Sequence, residues 1–385
     1  MSLVVDEHRE YLSDRARISA FSRAICEVVK PHDIVLDLGS GTGILGLLAC
    51  RAEAARVYSV DDGGMTGLAR QICRANGLQD RVVFIKELST RVDLPEKVDV
   101  VVADQIGQFG FNAGVLDYFS DARTRFLKPG GKMVPCGVDL IVAPVEAPEL
   151  WNQVEFWNKA PAGFDFGPAR TLAANTGYPT NLRPEQLLGD PAQLVAFDLS
   201  QATADPFKAA VYVKAARDGT LHGIGGWFSA QLSPGVVMTN SPLAKDAINR
   251  RQIFFPIDQS VEVCGGDGIR VMMHVLPKET MVSWTVEVWN EGNGSSSDRV
   301  RKAAFKHSTF KGMLLCEEDL QRTRPAFVPK LTPWGNARFS VLTLCDGKRS
   351  LSEIEQEVFR RHPKLFKSGA EAATFVAEVV TRYSR

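Results

Sequence analysis

Three aspartates and a glycine loop carry the chemistry that can be read from this chain. Asp37-Leu38-Gly39-Ser40-Gly41-Thr42-Gly43 lies between an apolar run and a helical one. Glycines here let the backbone turn tightly and approach a ligand with no Cβ in the way. The helix that follows offers unpaired N–H groups and the positive end of its dipole. Such a loop by itself also suits a nicotinamide or flavin. Asp37, just before the glycines, is placed to meet an amino group such as that of a methionine moiety. Asp61 follows Val57–Val60, where an acid accepts both ribose hydroxyls. Asp104 follows Val98–Ala103, at the carboxyl edge where open α/β sheets bind ligands.

The elements that must hold these residues alternate. Strand-like runs at Ile34–Leu38, Val57–Val60, Val82–Ile85, Val98–Ala103 and Lys132–Pro135 are separated by helical stretches at Ile44–Arg51 and Met65–Asn76. A further helical stretch, Arg15–Lys30, precedes them and stops at Pro31. This is the signature of βαβ units and a parallel, Rossmann-like sheet over residues 1–145. Between 146 and 312 short strands alternate with Gly, Pro and Asp turns: Ala209–Lys214, Gly226–Leu232, Ile253–Ile257, Gly268–Val275 and Met281–Trp289. That pattern predicts an antiparallel β-barrel or sandwich. Trp151–Gly189, rich in aromatics, Pro and Gly, reads as an excursion from it, and Gly292–Ser297 as a flexible loop. Residues 313–385 form a third, mostly helical domain. Ser350 and Glu353 have capping-box spacing ahead of a helix to about Arg361, and a last helix covers about Ala370–Tyr383.

The residues resemble the protein arginine methyltransferase family over about 6–312. HREYLSDRARISAF, VLDLGSGTGILGLLAC, FIKELSTRVDLPEKVDVVVADQIG and RFLKPGGKMVP carry the resemblance, with LHGIGGWF and RQIFFP in the barrel. The resemblance implies an S-adenosylmethionine-dependent methyltransferase. Asp37, Gly39, Gly41, Gly43 and Asp61 would hold the cofactor, Arg17 its carboxylate, and Ser89 and Thr90 its adenine. His8 and Asp14 align as well. The segment at about 151–189, with Gly163-Phe164-Asp165, is similar to the family's dimerisation arm and implies a homodimer.

The acceptor motifs depart from the family. Its two glutamates fall on Asp104 and Ala113, and its Thr-His-Trp segment on Ile248-Asn249-Arg250. A guanidinium stays protonated and offers a planar fork of donors that paired carboxylates grip bidentately. One Asp does not reproduce that grip, and Arg250 and Arg251 would repel a cation. Asp104 is the candidate catalytic residue, as a general base or orienting acceptor, or else a strand-end aspartate ordering its loop. Gln105, Gln108 and Asn112 would line the site with neutral hydrogen-bonding groups, and Phe109 and Phe111 with apolar surface. The expected enzyme methylates a peptide, protein or small metabolite. The alternatives are a cofactor-binding scaffold without turnover and an arginine methyltransferase with substitute acids. His222 and Trp227 read as barrel core.

Beyond 312, LTPWG and LTLCDGKRSLSEI resemble small PqqD-like winged-helix domains, which implies peptide capture by strand addition; a helical cap reads the same residues as well. Lys and Arg balance Asp and Glu at 45 each, which argues against a nucleic-acid partner. Seven scattered cysteines, with no CxxC pair, predict neither a metal site nor a disulfide framework and suit a reducing cytoplasm. No apolar run reaches a membrane span, and the N-terminus has no signal-peptide core.

Overall fold

The computed structural model describes residues 4–290 and 300–384. Gly292–Ser297, read above as a flexible loop, lies outside the described residues. Two compact units divide the chain, Met1–Met313 and Leu314–Arg385.

The first unit opens with α1 (Val4–Ser13) and α2 (Arg15–Val28), then runs β1 (Ile34–Leu38), α3 (Ile44–Arg51), β2 (Arg56–Val60), α4 (Thr66–Ala75), β3 (Val82–Ile85), β4 (Val98–Ala103), α5 (Val115–Arg125) and β5 (Leu127–Val134). All five strands are parallel in the order β3-β2-β1-β4-β5. The order reverses at β1, which places a topological switch point between β1 and β4. Leu38 pairs with Val60 on one side and Ala103 on the other. That register delivers Asp37, Asp61 and Asp104 to one edge of the sheet.

The second sheet begins earlier than the expected boundary at 145. β6 (Gly137–Val145) pairs with antiparallel neighbours, so the chain leaves the parallel sheet at Val134–Gly137. The run GVDLIVAPV is apolar apart from Asp139, and its composition does not say which sheet it joins. α6 (Pro148–Glu155), α7 (Gly167–Ala174) and β7 (Tyr178–Thr180) follow, then β8 (Ala192–Asp198), β9 (Phe207–Lys214), β10 (Gly219–Ser233), β11 (Val236–Thr239), β12 (Gln252–Val263), β13 (Gly268–Leu276), β14 (Met281–Asn290) and β15 (Val300–Ser308). They form a six-stranded sheet, β7-β12-β10-β6-β8 with β11 on β10, and a four-stranded sheet, β15-β14-β13-β9. One core joins parallel and antiparallel sheets, with Val101, Phe109, Phe228, Phe255 and Trp284 all fully buried within it. The predicted excursion is helical. Trp151 donates its indole N–H to Ile257 O at 3.0 Å and Arg170 pairs with Glu155 at 2.6 Å, fastening α6 and α7 together and to the barrel.

The second unit holds α8 (Glu317–Arg322), which buries no residue, and α9 (Pro333–Leu344), α10 (Leu351–Arg361) and α11 (Gly369–Tyr383), which pack around Val341, Ile354, Val358 and Val376. Thr332, Ser350 and Ser368 cap the last three helices, and Ser350 with Glu353 closes the predicted capping box. No strand occurs among the described residues of this unit, so the wing expected of a winged helix has no counterpart there.

Candidate active site

The glycine loop leaves β1 with Gly39 and Gly41 at φ of 62° and 53°. A Cβ on Gly41 would stand 2.5 Å from His8 Cε1, and one on Gly39 would meet the Gln105 amide. Those side-chain ends could shift, but both φ values are ones that favour glycine. Gly43 precedes α3 in the left-handed conformation, opening the helix with no side-chain cap over its first N–H groups. Asp61 accepts from Gly41 N at 2.8 Å and Gly63 N at 2.7 Å, which ties the end of β2 to the loop. A carboxylate has about four acceptor positions, so Asp61 keeps capacity for hydroxyl donors.

Asp37 is fully buried. Its Oδ2 accepts from Gly46 N at 2.9 Å, while its Oδ1 has no partner. Burial, reinforced by the charge of Asp61, pushes its carboxyl up to about 7. An unpartnered buried oxygen beside a glycine loop suits an ammonium donor. The glycine cradle, the open helix N-terminus and this oxygen together fit the amino-acid portion of an S-adenosyl cofactor.

Asp104 is not free to act as a base in this arrangement. Arg250 grips both carboxylate oxygens, Nη2 to Oδ2 at 2.9 Å and Nη1 to Oδ1 at 3.2 Å, and Arg17 Nε donates to Oδ2 as well. Burial opposes the charged form, but the two guanidiniums outweigh it and hold the carboxyl below its ordinary value. Arg17 is therefore engaged by the protein's own acid, and also donates from Nη1 to Tyr11 O at 3.1 Å under the Tyr11 ring. Residues of α1 cover the site. His8, Tyr11 and Leu12 close a cavity of about 120 Å³ together with the glycine loop, Arg17, Asp104 and Arg250. Ordinary small-molecule sites span about 300–1,000 Å³, and this cavity is smaller, with α1 as its cover.

The loop after β4 departs from expectation. Phe109 and Phe111 are core residues, edge-on to Phe255 and Phe207, and offer no surface to an acceptor. Asn112 Oδ1 accepts from Gln108 N and Phe109 N, and its amide donates to Gln108 Oε1, so these two polar groups serve the loop's own turn. Only Gln105 faces the glycines. Ala113, at the second acidic position of the resemblance, supplies no polar group. Ser89 and Thr90 lie on a short turn, Ser89–Arg91, beyond the end of β3 and outside the covered cavity. His222 and Trp227 are buried, as a core reading requires.

Arg250 was legible only as a repelling charge. Its position comes from two polar anchors. Asp14 caps α2 and also accepts from Asn249 N at 2.8 Å; the buried Asn240 donates to Gln108 O and Arg251 O and accepts from Phe228 N. Through them the barrel delivers Arg250 to the edge of the parallel sheet, while Arg251 stays exposed.

Comparison with known proteins agrees with this geometry. Residues 138–310 match the arginine methyltransferase oligomerization subdomain, and residues 21–140 match ribosomal protein L11 methyltransferase. Protein arginine N-methyltransferase 1 of Dictyostelium discoideum is 29% identical over 70% of this chain and 81% of its own length. An arginine N(omega)-methyltransferase of Streptomyces achromogenes subsp. streptozoticus is 29% identical over 69% and 75% respectively. The fold is that of a Trypanosoma brucei PRMT1 enzyme–prozyme heterotetrameric complex with AdoHcy, at a TM-score of 0.69 and 21% identity over 78% of this chain and 97% of that one.

The chain is an S-adenosylmethionine-dependent methyltransferase that resembles the protein arginine methyltransferases.

S-adenosylmethionine would supply this methyltransferase with a sulfonium-bound methyl group, its thioether serving as the leaving group when the methyl passes to an acceptor. The protein's share of such chemistry is alignment and exclusion of water. In this structure α1, the glycine loop and the Arg17–Asp104–Arg250 cluster line one covered cavity. No helix among the described residues is long and apolar enough to cross a membrane.

Proposed function

We propose that this methyltransferase acts on an acceptor other than a guanidinium: a peptide, protein or small metabolite presenting a neutral or carboxylate-bearing group. The observation that carries this reading is the saturation of Asp104 by Arg250 and Arg17. A cationic acceptor arriving there meets two guanidiniums and one committed carboxylate, with Ala113 in the second acidic position. Electrostatics alone disfavours it.

For the cofactor we propose Asp37 toward the amino group, Gly39, Gly41 and Gly43 as the cradle, Asp61 at the ribose, and Ser89 and Thr90 at the adenine. Arg17 is shared: the cofactor carboxylate and Asp104 compete for it. Asp104 then orients Arg250 and the acceptor rather than removing a proton.

The names of the relatives support a second reading, arginine methylation with acids supplied from elsewhere. Isotope-labelled S-adenosylmethionine, offered with free arginine, an arginine-rich peptide and a fractionated extract, separates the two. The expected label sits on a product whose hydrolysate holds no methylarginine. Methylated guanidinium made by the wild-type protein would overturn the proposal.

Homodimerisation through the arm is proposed from Phe156, Phe164 and Phe166, large apolar residues left exposed around α6 and α7. If the C-terminal unit captures a peptide, as its PqqD-like resemblance implies, the absence of a strand among its described residues favours a helix-in-groove mode over strand addition. Seven free cysteines support a cytoplasmic location.

A further inference from the structure

A cavity far larger than the covered one beside the glycine loop lies elsewhere in the first unit. About 860 Å³ opens where the C-terminal end of α2 and the beginning of β5 face β10. Lys97 and Leu127 place it at the amino ends of β4 and β5, the opposite edge of the parallel sheet from Asp104. Arg17 and Val28, on the same helix, are separated by about 16 Å at 1.5 Å per residue.

Its lining combines an apolar floor with a cationic wall. Leu127, Met133, Leu232 and Pro234 form the floor. The wall carries Lys30, Lys97, Arg123, Lys128 and Lys132, against two carboxylates, Glu27 and Asp198. Both carboxylates are turned to neutral donors. Glu27 holds Ser233 Oγ and Gly235 N, and Asp198 holds Ser200 N and Gln201 Nε2. Lys97 donates to backbone carbonyls, which do not neutralise it; Arg123 does so too and is offset in part by the charge of Asp198. Lys128 alone is paired, with Asp99 at 2.8 Å. Lys30 and Lys132 have no side-chain partner among the described residues. In a chain of zero net charge, this is a local concentration of uncompensated positive charge over apolar surface.

We propose that this cleft is a second binding site, for an amphiphilic organic anion: a compact apolar body carrying one carboxylate, sulfonate or phosphate head. Its volume falls within the range of small-molecule sites, which favours such a ligand over a flat macromolecular contact. The body displaces water from the floor, and the head meets Lys30 and Lys132 at the mouth, where a charge-assisted hydrogen bond forms without desolvating a buried ion.

The probe is 8-anilinonaphthalene-1-sulfonate, titrated by fluorescence into the full-length protein, beside its uncharged analogue N-phenyl-1-naphthylamine. The expected result is saturable binding of the sulfonate, at least tenfold tighter than the neutral analogue. Lys30→Glu/Lys132→Glu weakens it at least tenfold and Lys30→Gln/Lys132→Gln to a lesser degree, while S-adenosylmethionine affinity and thermal unfolding stay at wild-type values. Sulfonate binding unchanged in both variants, equal binding of the neutral analogue, or no saturable binding overturns the proposal. So does a change in sedimentation of the lysine variants, which would make the cleft a contact between protein chains.

Discussion

Asp37 and Asp104 are chemically identical side chains at one sheet edge, and their surroundings drive them in opposite directions. Asp37 is buried without a countercharge and sits near 7; Asp104 is buried between two guanidiniums and is held below its ordinary value. For Asp37 the sign is definite. The free protein binds a proton there as pH falls through about 7, whereas an ammonium on Oδ1 requires the carboxylate, so cofactor binding releases that proton. Affinity for S-adenosylmethionine therefore falls by up to about tenfold per pH unit below about 7. Calorimetry in buffers of different ionisation enthalpy measures both the slope and the released proton, and Asp37→Asn abolishes both. At Asp104, truncation leaves two buried cations unpaired. Asp104→Ala is expected to destabilise the protein by about 3–5 kcal/mol in urea, and Asp104→Ala/Arg250→Ala by less, since the stranded cation goes with its partner. Equal losses in the single and double variants would remove Arg250 from the pair.

At the scale of elements, the parallel sheet was legible because short apolar runs alternate with helical stretches, and three of the runs carry an aspartate at or just beyond their carboxyl ends. Val98–Ala103 and Ile34–Leu38 read from sequence with the boundaries the structure gives them. β6 was not legible as barrel: its first half alternates in burial and its last four residues are all buried, and neither pattern says which sheet a strand joins. The loop after β4 misled for a different reason: its composition is polar and aromatic, but Asn112 turns the polarity inward and the core claims both phenylalanines. Arg250 was hidden because its partner lies 146 residues away. Its placement depends on Asn240, whose three bonds join the barrel, the loop after β4 and the Arg250 segment. Asn240→Ala strands two carbonyls and an N–H, at about 1–3 kcal/mol for a buried group left unsatisfied. Turnover should fall with it while S-adenosylmethionine affinity holds, because Asn240 touches none of the glycine loop. Loss of cofactor affinity at unchanged turnover would contradict this division of labour.

For the whole molecule, the division at Met313 has thermodynamic consequences. The first unit has one core spanning both sheets, so it should unfold as a single cooperative body; the second has its own small core of Val341, Ile354, Val358 and their neighbours. Domains of that size bury a smaller share of their surface and are marginal. Two transitions are expected in urea, and a change in only one of them identifies its owner. Ser350→Ala removes the capping box of α10 and should lower the C-terminal transition by about 0.5–2 kcal/mol while the other stays in place. S-adenosylmethionine should act in the converse way. At about 100 times its Kd it stabilises the unit that binds it by about 2.7 kcal/mol and leaves the C-terminal transition unmoved. Residue-resolved hydrogen exchange assigns each transition to its unit. Protection gained equally across residues 314–384 on cofactor addition would show that the two units share one folding equilibrium, and the separate core of α9, α10 and α11 would then not confer independent stability.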